Sequence, residues 1–263
     1  MREGRKTRQG AAAVEITGLA GLPEILPGAD LPDEILVGVK RHGMALEDRD
    51  VVVVAQKIVS KAEGRVVLLA DVHPSAAARR MAKEMRKDPR FIEAVLRESK
   101  RVVRRSGRVL IVETRHGFVC ANAGVDRSNA GADDCVTTLP RDPDGSARRM
   151  AAALRRRTGK RVAVIISDTF GRPWRLGLTN VAIGAAGLEV LQDLRGKKDA
   201  SGQRLRATVL AVADELAAAA GLVLGKLERV PVAVIRGYRY TRAGRRARGA
   251  RDLIRPAAED LFR

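Results

Sequence analysis

Two short stretches set hard oxygen donors among small residues. In "VAVIISDTFGRPWRLGLTN", Val162 to Asn180, an apolar run ends in Asp168 and Thr169, and Arg172 and Arg175 follow. In "NAGVDRSNAG", Asn122 to Gly131, Asp126 and Asn129 sit among glycines and alanines that let a ligand come close to the backbone. Two carboxylates and a hydroxyl suit Mg²⁺ or Mn²⁺ better than zinc, because such ions take oxygen ligands and leave positions for water and phosphate. A third stretch, "AQKIVSKAEGR", puts Lys61 where it could meet a phosphate as a point charge. "GLPEI", Gly21 to Ile25, adds a turn. Each has a plainer reading: an Asx-turn at Asp126, a helix cap at Asp168, a helix-start charge pair at Arg172 and Arg175, a solvated loop at Lys61.

Other chemistries find no footing. There is no G-x-x-x-x-G-K-[ST] loop, no G-x-G-x-x-G after a strand and no G-x-S-x-G elbow. His42, His73 and His116 are scattered, without zinc-like spacing to one another or to the cysteines. Cys120 and Cys135 are too few for a disulfide framework and read as free thiols in a reducing compartment.

The elements that must position these residues alternate without a repeat. "DVVVVAQKIVS", "RVAVIISDT" and "VPVAVIRGY" read as strands, the last two continuously apolar and so buried on both faces. "SGRVLIVETRHGFVCANAG" reads as two strands around a turn at His116-Gly117. One helix opens at Asp88-Pro89 and repeats its apolar positions as far as Val102 and Val103. A second is capped by Ser146 and stopped by Gly159, and a third runs from about Leu205 to Leu224. The pattern is α+β with an antiparallel component, not a Rossmann repeat. A lobe boundary is placed at 137–145, and the basic ends, 1–13 and 241–263, read as extensions that could be mobile.

The chain has 263 residues, 45% of them hydrophobic, enough for a sizeable core. Aromatic residues at 3% argue against stacking platforms for single-stranded nucleic acid. The formal charge of +19 suits nucleic acid or small, strongly anionic substrates. "ATVLAVADELAAAAGLVLG" carries Asp214 and Glu215 and reads as an amphipathic helix, not a membrane span. With no signal peptide at the start, the sequence reads as cytoplasmic.

Seven stretches, taken in order, carry a specific likeness: "GLPEI", "VVVVAQKIVSKAEGR", "RFIEAVLRES", "GFVCANAGVDRSN", "DPDGSA", "GKRVAVIISDTFGR" and "VPVAVIRG". From about residue 14 to about 240 the chain resembles the coenzyme F420 γ-glutamyl ligases. The resemblance implies an unusual two-lobed α+β fold and an intertwined homodimer. It implies GTP-dependent attachment of L-glutamate to the lactyl carboxylate of the deazaflavin precursor F420-0, then of further γ-linked glutamates, through an acyl phosphate. It also implies two divalent ions, Mg²⁺ or Mn²⁺, and K⁺. By that likeness Asp126 and Asp168 bind the first metal and Thr169 the second, with Asp126, Asp168 and Lys61 as the catalytic set. Nucleotide contacts fall on Leu22, Pro23, Glu24, Ile25, Ala55, Gln56, Lys61 and Asn129, and on the loop at Leu224, Gly225, Lys226 and Leu227.

Two positions depart from the family. Lys226 stands where some members carry an acidic ligand, which leaves the second metal site open or completed by water. Ala55-Gln56 replaces hydroxyl residues found in some relatives. Arg172 and Arg175 are expected, from their charge, to clamp glutamate carboxylates or the phosphodiester of the acceptor. Two alternatives stand beside this reading. One is an amide ligase of the same scaffold with another carboxylate acceptor; the other, suggested by charge alone, is a nucleic-acid-binding protein.

Overall fold

The computed structural model describes residues 13–127, 134–225 and 227–260. Its strands are β1 (Glu15–Gly18), β2 (Val51–Ala55), β3 (Val66–Leu68), β4 (Ser99–Ser106), β5 (Val109–Thr114), β6 (Val119–Ala121), β7 (Cys135–Thr137), β8 (Ala163–Arg172), β9 (Arg175–Ala186), β10 (Gln192–Asp193), β11 (Val209–Leu210) and β12 (Val232–Arg236). Its α-helices are α1 (Leu31–Arg41), α2 (Gln56–Ala62), α3 (Ala76–Met85), α4 (Pro89–Arg97), α5 (Pro143–Thr158) and α6 (Val212–Leu224). The fold is α+β.

A five-stranded sheet in the order β1-β12-β2-β8-β9 forms the frame, and only β2 and β8 run parallel within it. The apolar runs are buried on both sides because side chains alternate between faces. Val52, Val54, Val164 and Ile166 pack with Ile35 and Val39 of α1, Ile58 of α2, and Met150 and Leu154 of α5. Val51, Val53, Ala163 and Ile165 pack on the other side against Val212, Leu216 and Ala220 of α6.

A separate core, drawn from residues between Leu69 and Val136, lies under the antiparallel sheet β4-β5-β6. Helices α3 and α4 supply Ala82, Met85, Phe91, Ile92 and Val95 to it, and β5 supplies Leu110 and Val112. The chain leaves the frame after α2 and returns to it at α5, with β3 and β7 pairing at the crossing.

Several boundaries differ from the sequence reading. "DVVVVAQKIVS" is a strand only to Ala55 and then turns into α2, so Lys61 is helical. Val102 and Val103 belong to β4, because α4 ends at Arg97. Helix α5 begins at Pro143 behind Asp142, placing Ser146 inside it; that hydroxyl bonds Glu63 and the Asp142 carbonyl. Helix α6 starts at Val212, so Asp214 and Glu215 lie in its first turn rather than at its centre.

The C-terminal stretch is packed rather than loose. The Ala250 and Ala185 amides both donate to Asp144 Oδ1, at 2.7 and 2.8 Å. Gly249, at φ 80°, approaches so closely that a Cβ there would stand 2.2 Å from Asp144 Oδ1. Burial holds the Asp144 carboxyl above the usual carboxylate range. Among the described residues no helix is long and apolar enough to cross a membrane.

Candidate active site

The parallel pair sets the site's floor. Ala55 stands opposite Ser167, so the chain beyond β2 and the extension of β8 from Asp168 emerge at the same sheet end. Crevices at the carboxyl ends of parallel strands are recurrent ligand sites. Just before Asp168 the β8–β9 pairing is irregular: Ile166 faces Gly184 but Ser167 faces Ala182, so β9 carries Ile183 as an extra residue. Bulges of this kind re-aim neighbouring side chains.

Asp168 and Thr169 lie within β8, not on a loop or a helix cap. Alternation puts Asp168 on the face of Val164 and Ile166, and Thr169 on the face of Ile165. The Asp168 Oδ1 atom accepts the Thr169 amide at 2.7 Å. The Thr169 hydroxyl donates to Asn180 Oδ1 at 3.0 Å, across the strand pair. With its proton committed there, the Thr169 oxygen meets any cation as an acceptor. Asn180 reaches α6 at Gly221, where a Cβ would lie 3.2 Å from Asn180 Nδ2. Ser167 keeps a buried hydroxyl without a hydrogen-bond partner, a group that a ligand or water could satisfy.

Asp126 arrives from the smaller core. Its backbone pairs with Thr137, amide to carbonyl in both directions, at 3.0 and 2.8 Å. Its carboxylate receives Lys57 Nζ at 2.8 Å, which ties the smaller unit to α2 at the frame's edge. Cys120, two residues before the turn that leads to Asp126, registers Asp168 as well. Its thiol is pushed up to about 12, chiefly by burial and then by the negative charge of Asp168. So high a value leaves no thiolate for nucleophilic work near neutrality. Asp126 and Asp168 therefore come from different cores to one end of the sheet.

Helix α2 contributes two lysines, Lys57 and Lys61, at the i,i+4 spacing that places them on one face. Lys61 is nearly buried and is ion-paired with Glu24. That contact, with the Gly28 amide donating to the Ala62 carbonyl at 2.8 Å, holds the 21–28 loop on α2. Leu22 and Ile25 point into the main core, leaving Pro23 and Glu24 on the surface. Gln56 is also buried, accepting the Ser60 hydroxyl at 2.8 Å, and Ala55 closes β2 half-buried.

The loop after α6 starts from buried Leu224 and exposes Leu227. Gly225 has φ 59° and ψ −170°, a conformation reserved for glycine, and Glu228 lies across it, accepting the Leu227 amide at 2.9 Å. Asn129 and Lys226 lie outside the described residues. Arg172 and Arg175 face each other across the Pro173-Trp174 turn that joins β8 to β9. No helix follows them, so they are not a helix-start pair. Arg172 lies four residue steps along the strand from Asp168, roughly 13 Å. The arm thus carries both arginines to an exposed tip, where Arg172 donates to the Leu176 carbonyl at 3.0 Å.

The donors suit hard divalent ions in two places rather than one. The carboxylates of Asp126 and Asp168 lie at the same sheet end, whereas the Thr169 hydroxyl, on the opposite face of β8 from Asp168, would serve a separate ion; Asp126 already faces a cation in Lys57. Among the described residues no three histidine, cysteine or acidic side chains converge into a metal-binding group. A metal there would rely on few protein ligands, as Mg²⁺ commonly does. Lys57 and Asn180 are the residues that sequence reasoning missed. The i,i+4 partnership of Lys57 with Lys61 was the available signal for the first; the second depends on strand register.

The sequence profile of the F420-0:Gamma-glutamyl ligase family matches residues 20–237. The chain is 45% identical to the coenzyme F420:L-glutamate ligase of Methanothermobacter thermautotrophicus, over 95% of this chain and 99% of that one. It is 43% identical to the ligase of the same name from Methanocaldococcus jannaschii, over 83% and 86% of the two chains. The Methanopyrus kandleri ligase gives 43% over 91% and 94%. A profile spanning both cores and relatives matched over nearly their full length agree: the chain belongs to the F420-0:γ-glutamyl ligase family.

Proposed function

We propose that the protein joins L-glutamate to the lactyl carboxylate of F420-0 and then adds γ-linked glutamates, driven by GTP. The observation that carries this reading is the convergence of Asp126 and Asp168, from two different cores, at the carboxyl end of the frame's parallel strands. Amide formation in water needs an activated carboxylate. The lactyl carboxylate oxygen attacks the γ-phosphorus, GDP leaves, and an acyl phosphate forms. The glutamate amine then attacks the acyl carbon, phosphate leaves with the C–O electron pair, and the new amide nitrogen loses its extra proton to solvent.

Such phosphoryl transfer asks the protein for positioning and charge neutralisation more than for covalent chemistry. Asp126 and Asp168 would hold one Mg²⁺ or Mn²⁺ and Thr169 a second, with K⁺ beside them; bound there, the ions would neutralise phosphate charge. Lys57 and Lys61, on one face of α2, orient phosphate oxygens as point charges. Asn180 fixes the Thr169 hydroxyl rotamer. A lysine at position 226 adds positive charge to its loop rather than a ligand. Excess basic charge speeds the capture of GTP and the anionic acceptor.

The β8–β9 arm supports a homodimer. Trp174, Leu176 and Leu178 stand 72, 98 and 66% exposed on it, an apolar surface that a second copy would cover. Sedimentation of Leu176→Asp should then shift toward monomer.

The mechanism is tested with F420-0 carrying ¹⁸O in the lactyl carboxylate. One label should appear in inorganic phosphate, with GTP and not without it. Amide product with unlabelled phosphate would rule out the acyl phosphate.

A further inference from the structure

Asp126 also lines a cavity of about 500 Å³ that is otherwise bordered by residues of the smaller unit. Arg86 and Lys87 reach it from the end of α3, Arg108 from the β4–β5 turn, and Arg127 from the residue after Asp126. Phe91 forms an apolar wall, with Lys87 Nζ 5.6 Å and the Arg127 guanidinium carbon 5.0 Å from its ring centre. Such contacts hold cations in place while leaving their donors available to an anion.

The cavity's negative charge is already engaged. Asp88 is gripped by Arg90 at 2.8 Å and touched by Arg127 at 3.3 Å, and Asp126 pairs with Lys57. Among the described lining residues four cations thus face two carboxylates; Asp126 is held by Lys57 and Asp88 chiefly by Arg90, with Arg127 a longer contact. Burial, and then the charges of Arg108 and Arg127, depress the Lys87 ammonium below the usual lysine range. Two non-glycine lining residues take left-handed backbone, Arg86 at φ 51° and Asn122 at φ 52°, and Ala123 behind Asn122 does so at φ 55°. Strain of this kind gathers at ligand-binding sites. Lys87 Nζ also donates to Asn122 Oδ1 at 3.4 Å, bracing the same rim.

We propose that this cavity is the subsite for the acceptor's own anionic groups, holding through Lys87, Arg108 and Arg127 a phosphodiester or tail carboxylate while the reacting carboxylate lies at Asp126. The assignment rests on the ligase reading. It divides the cations around Asp126 by role: the α2 lysines serve the nucleotide, and Lys87, Arg108 and Arg127 serve the acceptor. Arginine forks and a lysine ammonium around an open cavity suit oxyanions attached to a larger body.

The test uses the full-length enzyme with Arg108→Ala and Lys87→Gln, and Arg204→Ala, an exposed residue between β10 and β11 outside the cavity lining, as a charge-matched control. Each cavity variant should raise KM about tenfold or more for F420-0 if the cavity holds the phosphodiester, or for the monoglutamylated acceptor alone if it holds a tail carboxylate, while KM for GTP stays within about twofold, the loss expected for one charge-assisted hydrogen bond. A rise in KM for GTP instead, or no change for either acceptor, overturns the proposal. Calorimetry with a simple lactyl phosphodiester and with γ-linked triglutamate reads the cavity directly. Binding that both variants weaken supports the subsite, and the probe that binds shows which anion occupies it; no binding of either overturns it. If the wild type lacks ligase turnover, the functional reading fails by itself and the calorimetric outcome still decides whether the cavity takes such anions.

Discussion

The two cores that share the site are built differently. In the frame, β2 is buried from Val51 to Val54, with bonded strands on both edges and helices over both faces. In the smaller unit β4 buries almost nothing, and α3 and α4 cover one face of its sheet. Asp168 hangs from the first and Asp126 from the second, and Lys57 of α2 ties Asp126 to the frame. A two-sided core fixes one half of a site, while a one-sided core can open at lower free energy and let the other half adjust. Under the proposed function, that contrast would leave phosphate positioning to the frame and acceptor accommodation to the smaller unit.

The strongest challenge to that contrast is a pair of single substitutions. Asp168→Asn and Asp126→Asn should each lower kcat/KM by about 100-fold or more, with folding unchanged by circular dichroism. A large loss at Asp168 alone would mean the site belongs to the frame. Next in size are core truncations. Ile165→Ala should cost about 2–5 kcal/mol in denaturant unfolding. Val112→Ala in the smaller unit should cost roughly 2 kcal/mol. Hydrogen exchange sharpens this: Val112→Ala should speed exchange in β4 and β5 and leave β2 and β8 protected.

A smaller effect is expected at Asp88, which caps α4 through the Arg90 amide at 2.8 Å. Asp88→Ala should cost about 1 kcal/mol near neutral pH. The Arg90 guanidinium, above all, lowers the Asp88 carboxyl to about 2 from an ordinary 3.8. Its contribution is therefore present above about pH 4 and lost as the pH falls through about 2. Acid titration of stability should show a shallower loss in the variant. Asp144 works in the opposite sense: its raised carboxyl favours the folded state at low pH and loses that advantage as the pH rises through its folded value. The smallest change is Lys57→Met. Its partly exposed ion pair should shift stability by less than about 1 kcal/mol, read by thermal unfolding.

Much of the frame was legible because doubly covered strands leave continuous apolar runs: "VAVII" and "VAVI" became β8 and β12. The switch from β2 to α2 was not, since Ala55 offers no capping side chain and Ile58 and Val59 prolong a strand-like pattern. The end of α4 was equally silent: no glycine or proline separates Arg97 from β4. At the site, residue types pointed to Asp126, Asp168 and Lys61, but their partners depend on tertiary placement. Nothing local predicts that Lys61 meets Glu24 or that Thr169 meets Asn180. The extended arm that places Arg172 and Arg175 at an exposed turn, instead of at the start of a helix, had no local signal in the sequence.

The central claim is that carboxylates from two cores serve one glutamyl-ligase site. It is tested most directly by an end-point mass-spectrometric assay with F420-0, L-glutamate, GTP, Mn²⁺ and K⁺, run on the wild type, Asp126→Asn and Asp168→Asn. The account predicts a GTP-dependent ladder of glutamyl increments for the wild type and none for either variant. A full ladder from either variant, or a wild-type ladder without GTP, would contradict it.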